Sequence, residues 1–397
     1  MSGGVELVVA GGGTAGHLSP ALAVARALVA SGTAPEAIRF VGSSRGMERT
    51  LVPEAGFAVT LLPGRGFKRR VAASNLLAAF ELAVATAFAA ALMLRWRPGA
   101  VLAVAGYASV PCSLAARLCK VPVVVLNVDA VPGAANRLVG RFAAVSAVAT
   151  ETTSLPRAVV TGAPVRPEVL GVDRGSEGRT RSRRALGLPE DRLVLAVVGG
   201  SLGARRINEA TVGMARLLRD RSDLVLYHVS GARDHDWALA ATEDLRDGLP
   251  GGAPSRLDYR LVAYEAAMWH LLAACDLLVS RAGASTLAEV TVVGVPSVLV
   301  PLPGAPGDHQ ASNARRLEER GAAVVIDDGD VTPERLAALA SSLLDDPRRL
   351  AAMGEAARSL GRPDAAQRVV ELLLRSAARR RAPTEWGGVA TAEGSGR

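Results

Sequence analysis

Residues 276–313 read DLLVSRAGASTLAEVTVVGVPSVLVPLPGAPGDHQASN. The apolar run 277–279 predicts a buried strand, and Arg281, Ala282, Gly283, Ala284 and Ser285 make a small-residue turn. A helix is expected from Thr286, with Glu289 one turn in. A second β-branched strand follows over 295–301, then a polar loop at Asp308, His309 and Gln310, and Asn313 opens the next helix. A strand feeding such a turn and a helix start leaves backbone N–H groups directed at whatever lies ahead of the helix, which is a ready anion site. Glu289 is placed to face the same crevice, and an ionised carboxylate, an acceptor only, can take two sugar hydroxyls. A phosphate at the helix start beside a diol at the glutamate describes a nucleotide sugar. The plainer alternative is an ordinary βα turn in which Glu289 is a solvated first-turn carboxylate.

Working outward, 397 residues exceed what one core usually serves, so two domains are expected. Hydrophobic residues make up 49% but aromatics only 4%, so Ala, Val and Leu must fill the interior, as suits α/β layers. The net charge of +8 points to an acidic partner: nucleic acid, an anionic membrane surface or a phosphorylated substrate. No Lys/Arg block is interleaved with aromatics, which puts nucleic acid last. Cys112, Cys119 and Cys275 form no CxxC and are odd in number, so a reduced compartment and packing roles are expected. Met1 leads straight into a strand, which argues against a signal peptide.

At the amino-terminal end an apolar run, 5–10, meets Gly11, Gly12, Gly13, Thr14, Ala15, Gly16 and His17, a glycine-rich phosphate loop. Ser19 is expected to cap the following helix, with Pro20 at its first position and Gly32 past its end. No acidic residue is placed as a ribose ligand for a nicotinamide dinucleotide. The segment 76–94 is long and apolar enough to raise a membrane span, but Glu81 interrupts it, Ala dominates it, and Arg95 and Arg97 close it. Two readings remain: a helix covering a parallel sheet, or an apolar face with a basic rim, Lys68, Arg69 and Arg70 nearby, lying on an anionic leaflet. Residues 105–111 form a second glycine loop, and the buried strand 121–126 leads to Asn127, Val128, Asp129 and the turn 130–133. Residues 167–184 read as a linker with an irregular segment. Gly199, Gly200, Ser201, Leu202 and Gly203 then form a third glycine loop before a helix. Asp327, Asp328, Gly329 and Asp330 are read as capping the helix that begins at Thr332 and Pro333 rather than as a metal site. Residues 376–397 have no periodicity and are expected to be disordered.

RAGASTLAE, GVPSVLVPLP and DHQASNA, in this order, resemble the donor half of the MurG family of N-acetylglucosaminyltransferases. Further matches are GMExxLVP at Gly46, Met47, Glu48, Leu51, Val52 and Pro53, AGYASVP from Ala105, GAPVR from Gly162 to Arg166, and GGSLGA from Gly199. The resemblance covers about residues 5–375. It implies a GT-B fold, α/β, with an acceptor and membrane-associated domain over 1–164, a UDP-GlcNAc domain over 165–360, and a terminal helix, 361–375, returning to the first domain. It also implies peripheral attachment to the cytoplasmic face of the cell membrane. The implied reaction moves N-acetylglucosamine from UDP-GlcNAc to lipid I with inversion, without a cofactor and without a DxD metal motif. Donor contacts would fall to Thr14, Ala15, Gly16, Asp129, Arg166, Ser201, the backbone at Glu265, Ala284, Ser285, Thr286, Leu287, Ala288, Glu289 and Gln310. Gly13, Gly106 and Tyr107 would meet the acceptor diphosphate. An inverting transfer needs a base on the acceptor hydroxyl. His17, which follows the first glycine loop into the cleft, is the first choice and Asp129 the second. Two departures stand out. Ala105 replaces a family glycine, and Leu126, Asn127, Val128 and Asp129 stand where the family reads His, Glu, Gln and Asn. Alternatives are a GT-B transferase for another acceptor, an isomerase of the UDP-GlcNAc 2-epimerase type, or a non-catalytic nucleotide-sugar binder, which would have lost His17 or Glu289.

Overall fold

Short apolar runs rich in β-branched residues pair best where both faces are covered, and such runs make most of the strands of two parallel sheets. The computed structural model describes residues 6–44, 46–63, 74–200, 203–246 and 256–381. The first sheet contains β1 (Leu7–Ala10), β2 (Ile38–Ser43), β3 (Ala58–Leu62), β4 (Ala100–Ala103), β5 (Val123–Asn127), β6 (Val145–Val148) and β7 (Ala158–Val160), in the order β3-β2-β1-β4-β5-β6-β7. The second contains β8 (Leu193–Val198), β9 (Leu224–Val229), β10 (Asp258–Val262), β11 (Leu277–Ser280), β12 (Ser297–Leu299) and β13 (Ala323–Val325), in the order β10-β9-β8-β11-β12-β13. Strand order reverses between β1 and β4 and again between β8 and β11. In open α/β sheets ligands bind at such switch points, beyond the carboxyl ends of the strands.

Helices α1 (Ala15–Ala30), α2 (Glu48–Glu54), α3 (Ser74–Trp96), α4 (Ser109–Leu118) and α5 (Ala134–Gly140) belong to the first sheet. After β7 come α6 (Pro167–Leu170) and α7 (Ser176–Ala185), then α8 (Arg205–Leu217), α9 (His235–Ala241), α10 (Glu243–Arg246), α11 (Met268–Ala274), α12 (Ala284–Val293), α13 (His309–Glu319), α14 (Pro333–Leu344), α15 (Pro347–Leu360) and α16 (Ala365–Arg381). The last helix does cross back. Val369, Val370, Leu373 and Ala377 pack with Val9, Val24 and Leu102 in the first sheet's core, and the Arg380 guanidinium donates to the Pro98 carbonyl.

Several boundaries differ from the sequence expectations. The first helix begins at Ala15, not Ser19, so Pro20 lies inside it. The helix after the polar loop starts at His309, four residues before Asn313. Residues 167–184 hold two helices rather than an irregular linker. There Arg183 is buried between the Ala274 and Glu190 carbonyls and the Asp276 carboxylate, which its side chain needs to be tolerated inside. The expected disorder from Ser376 is corrected as far as Arg381, because Ala377 packs on Gly99 and continues the helix. The cap of α14 is Thr332 rather than the acidic run before it, the Thr332 hydroxyl accepting from the Arg335 N–H at 3.2 Å. Asp328 meanwhile pairs with Arg281 at 2.6 Å and with Arg206 at 3.0 Å. Residues 64–73, with Lys68, Arg69 and Arg70, and Ser201 with Leu202 lie outside the described residues.

Candidate active site

Both switch points end in glycine loops, and the loops of the first sheet lie against each other. The Gly12 N–H donates to the Ala105 carbonyl at 3.0 Å. A Cβ on Gly11 would fall 2.0 Å from that oxygen, and one on Gly106 2.5 Å from the Gly12 carbonyl, so both must be glycine. Ala105 has φ +67°, a left-handed conformation held with a side chain in place. The Tyr107 hydroxyl donates to the Pro63 carbonyl at 3.1 Å, and burial pushes its pKa up, which keeps it a neutral donor. Of the residues expected at the acceptor diphosphate, Gly106 therefore holds the two loops together, Tyr107 is tied to Pro63, and Gly13 has open space beside its Cα. Glu48, from the GMExxLVP element, backs the first loop. It is 1% exposed and its Oε1 accepts from the Ser43 N–H.

α1 opens this loop into the cleft. The Thr14 hydroxyl and His17 Nδ1 lie 3.3 Å apart, so the expected base is held by the loop that precedes it. Pro20 has no N–H to give the Gly16 carbonyl four residues back. That carbonyl is instead taken by Ser285 of the second domain, whose hydroxyl donates to it at 2.8 Å. A proline inside a helix thus leaves the acceptor that joins the two domains.

On the facing side Gly283 precedes α12, and Leu287 is the first residue whose N–H bonds back, to the Gly283 carbonyl at 3.0 Å. The N–H groups of Ala284, Ser285 and Thr286 have no acceptor within the helix, so an anion ahead of them meets both donors and the positive end of the helix dipole. Leu287 is buried and Ala288 half-buried beneath them. Glu289 stands one turn on, its side chain 13% exposed, and its Oε1 accepts from Arg166 Nε at 2.9 Å. Arg166 itself lies over the Trp269 ring, 5.9 Å from its centroid. Burial raises the Glu289 pKa above its ordinary value, and the Arg166 charge opposes the rise. The two side chains expected on the donor sugar and its diphosphate therefore hold each other.

The altered segment, Leu126 to Asp129, ends β5 and runs beyond it to face α13 across the cleft. Asn127 Nδ2 donates to the Asp129 carbonyl at 2.6 Å and Asn136 Nδ2 to Asn127 Oδ1 at 3.0 Å, which shapes the turn. The Ala130 N–H then donates to Asn313 Oδ1 at 3.0 Å, while Asn313 Nδ2 donates to the Ala282 carbonyl at 3.2 Å. The Asp129 carboxylate lies 3.9 Å from His309 Nε2. Gln310 is turned toward its own loop, its Oε1 accepting from the Leu302 N–H at 3.0 Å. Glu265 fixes the turn after β10, accepting from Tyr227 Oη at 2.6 Å and from the Ala267 N–H at 2.7 Å. These contacts leave the Glu265 side chain occupied.

Sequence reading missed His309, Asn313 and Trp269 as members of the site. The first two lie in the DHQASN stretch already singled out; nothing in the order of residues pairs Trp269 with Arg166.

The profile of the glycosyltransferase family 28 N-terminal domain matches residues 7–148, and that of its C-terminal domain matches residues 194–369. The UDP-N-acetylglucosamine--N-acetylmuramyl-(pentapeptide) pyrophosphoryl-undecaprenol N-acetylglucosamine transferase of Desulforudis audaxviator is 37% identical over 375 residues, covering 93% of this chain and 98% of the relative. The enzyme of the same name from a Nocardioides species is 39% identical over 370 residues, with 93% and 98% covered. The crystal structure of Acinetobacter baumannii MurG superposes with a TM-score of 0.72 at 30% identity, covering 93% of this chain and 99% of that one. With both halves of the fold matched and both switch points facing one cleft, the chain belongs to the MurG family of glycosyltransferase family 28.

Proposed function

We propose that this glycosyltransferase moves N-acetylglucosamine from UDP-GlcNAc to the muramyl 4-hydroxyl of lipid I, giving lipid II for peptidoglycan synthesis. The observation that carries the reading is the start of α12. Its free N–H groups and the Arg166–Glu289 pair stand beside the start of α1, joined to it through Ser285 and Gly16. In the reaction the acceptor oxygen bonds to the sugar C1 as the C1–oxygen bond to UDP breaks. The acceptor proton passes to His17 or Asp129, and the leaving diphosphate gathers charge at the helix start, where preorganised donors act without reorganising. Arg166 exchanges Glu289 for the diphosphate, which frees the carboxylate to accept from the donor's hydroxyls.

The acceptor is a lipid, and α3 supplies a surface for it. Only 17% of the stretch Ala79–Trp96 is buried. Ala85, Ala89 and Met93 form the stripe that packs inward, while Phe80, Val84, Phe88 and Leu94 are exposed, Phe80 at 66% and Leu94 at 65%. That exposure supports an interfacial face with Arg95 and Arg97 at its rim, lying on the anionic inner leaflet, over a helix buried as core. The deciding experiment follows UDP release from UDP-GlcNAc with and without a lipid I analogue. Release that requires the analogue and yields the disaccharide product supports the transfer. Conversion of UDP-GlcNAc to its C2 epimer without any acceptor, with the sugar still on UDP, would replace it with the isomerase reading.

A further inference from the structure

Asp129 and His309 come from opposite domains and from different motifs, yet they face each other across the cleft at 3.9 Å. Asp129 follows β5 in the segment that departs from the family's HEQN, so a carboxylate stands where an amide is usual. His309 is the first residue of α13, and two consecutive left-handed residues, Gly307 at φ +67° and Asp308 at φ +49°, turn the chain sharply to start that helix. A Cβ on Gly307 would lie 3.1 Å from Val131 Cγ1, so the two loops already touch beside the pair. The side chains are only 22% and 20% exposed, which strengthens an interaction that water would otherwise screen. At 3.9 Å the pair is one small domain movement short of a hydrogen bond. One turn further along α13, Asn313 takes the Ala130 N–H across the same gap.

We propose that His309 is a positioning residue that holds the Asp129 carboxylate across the cleft. This carboxylate–imidazole clamp sets how closely the two domains approach over a bound donor. Gln310 is the neighbour of His309, so a sugar that engages Gln310 draws His309 toward Asp129 and brings Nε2 within hydrogen-bond distance of Oδ1. An amide at position 129 lacks the charge that makes this pairing strong. With its orientation fixed through one oxygen, Asp129 presents the other to a hydroxyl in the cleft. The role over a bound donor rests on the transferase reading; the clamp between the domains does not.

The Ala130 amide reports the clamp directly, because its acceptor lies in the other domain. Hydrogen exchange of the full chain, followed by mass spectrometry on the peptide containing Ala130, is compared for the parent, Asp129→Asn, His309→Gln, the double variant and the swapped pair Asp129→His with His309→Asp. Each single variant is expected to exchange roughly fivefold faster at this amide, the double no faster than either single, and the swap near the parent. Effects that multiply in the double variant, or a swap as fast as the singles, would overturn the clamp. The same exchange with saturating UDP-GlcNAc tests the donor's part. Protection in the parent that disappears in His309→Gln supports it, while equal protection in both shows that donor closure does not use His309. No protection in any variant, with the ligand-free pattern intact, would fault the donor reading and leave the clamp standing.

Discussion

Glu289 is the residue on which donor recognition turns, and its environment sets what its loss should do. It is a nearly buried carboxylate with one strong partner, Arg166. Glu289→Ala removes the acceptor for the sugar hydroxyls and leaves Arg166 without its counter-charge, so UDP-GlcNAc affinity is expected to fall by about 2–4 kcal/mol. Calorimetric titration measures this, and an unchanged affinity would remove the diol assignment. The raised pKa has its own consequence, because the folded chain holds this proton more tightly than the unfolded chain does. The associated stability is full below the ordinary value of 4.5 and is lost as pH rises through the higher folded value. Glu289→Gln should therefore flatten the stability profile in that window, read from denaturant unfolding at a series of pH values. Glu289 could be found in the sequence because one turn past a small-residue loop is a fixed place on a helix. Arg166 could be suspected, but its pairing with Glu289 could not, since the partners lie 123 residues apart. Ala105 shows the opposite case, a residue that stands where the family has glycine and still holds a left-handed backbone. A left-handed alanine is strained, and Ala105→Gly is expected to stabilise the chain by about 0.5–1 kcal/mol, checked by the shift in denaturation midpoint.

At the scale of elements, the strands and glycine loops were legible because each is a short β-branched run followed by residues that allow positive φ. Helix starts were less so. The placement of Ser19 and Pro20 at the first helical turn followed the usual preference for proline there. The chain instead accepts an internal proline because the carbonyl it frees, that of Gly16, has a partner in another domain, and no local rule contains that partner. α3 illustrates a different limit. Its composition fits a core helix and an interfacial one equally, and only its packing separates them. Ala85, Ala89 and Met93 recur every four residues and face the protein, while Phe80, Val84 and Phe88 recur with the same spacing on a face that nothing among the described residues covers. Phe80→Glu with Phe88→Glu should leave the fold intact, because neither side chain is in the core, and should remove most binding to vesicles containing anionic lipid. Co-sedimentation tests this. Undiminished binding would assign membrane contact to another surface.

The two domains are alike in plan but are not independent, because α16 belongs to the second in sequence and to the first in packing. Leu373 is 1% exposed within the core formed by β1, α1 and β4. Truncating it leaves a cavity and removes the transfer free energy of a buried side chain, at a cost of about 2–5 kcal/mol for Leu373→Ala. The loss should fall on the first domain, even though the residue follows every strand of the second. Calorimetry can separate the cases because UDP stabilises the state that binds it by mass action. If the domains melt separately, Leu373→Ala lowers the transition that UDP does not move and leaves the UDP-responsive one near its place. If α16 and the contacts through Ser285, Asn313 and His309 tie the halves into one cooperative unit, a single transition shifts as a whole and still responds to UDP. The second outcome would mean that the cleft is held by the same contacts that stabilise the fold. Donor binding and domain approach would then be two readings of one equilibrium. A transition in the second domain alone that falls on Leu373→Ala would contradict the packing of α16 described above.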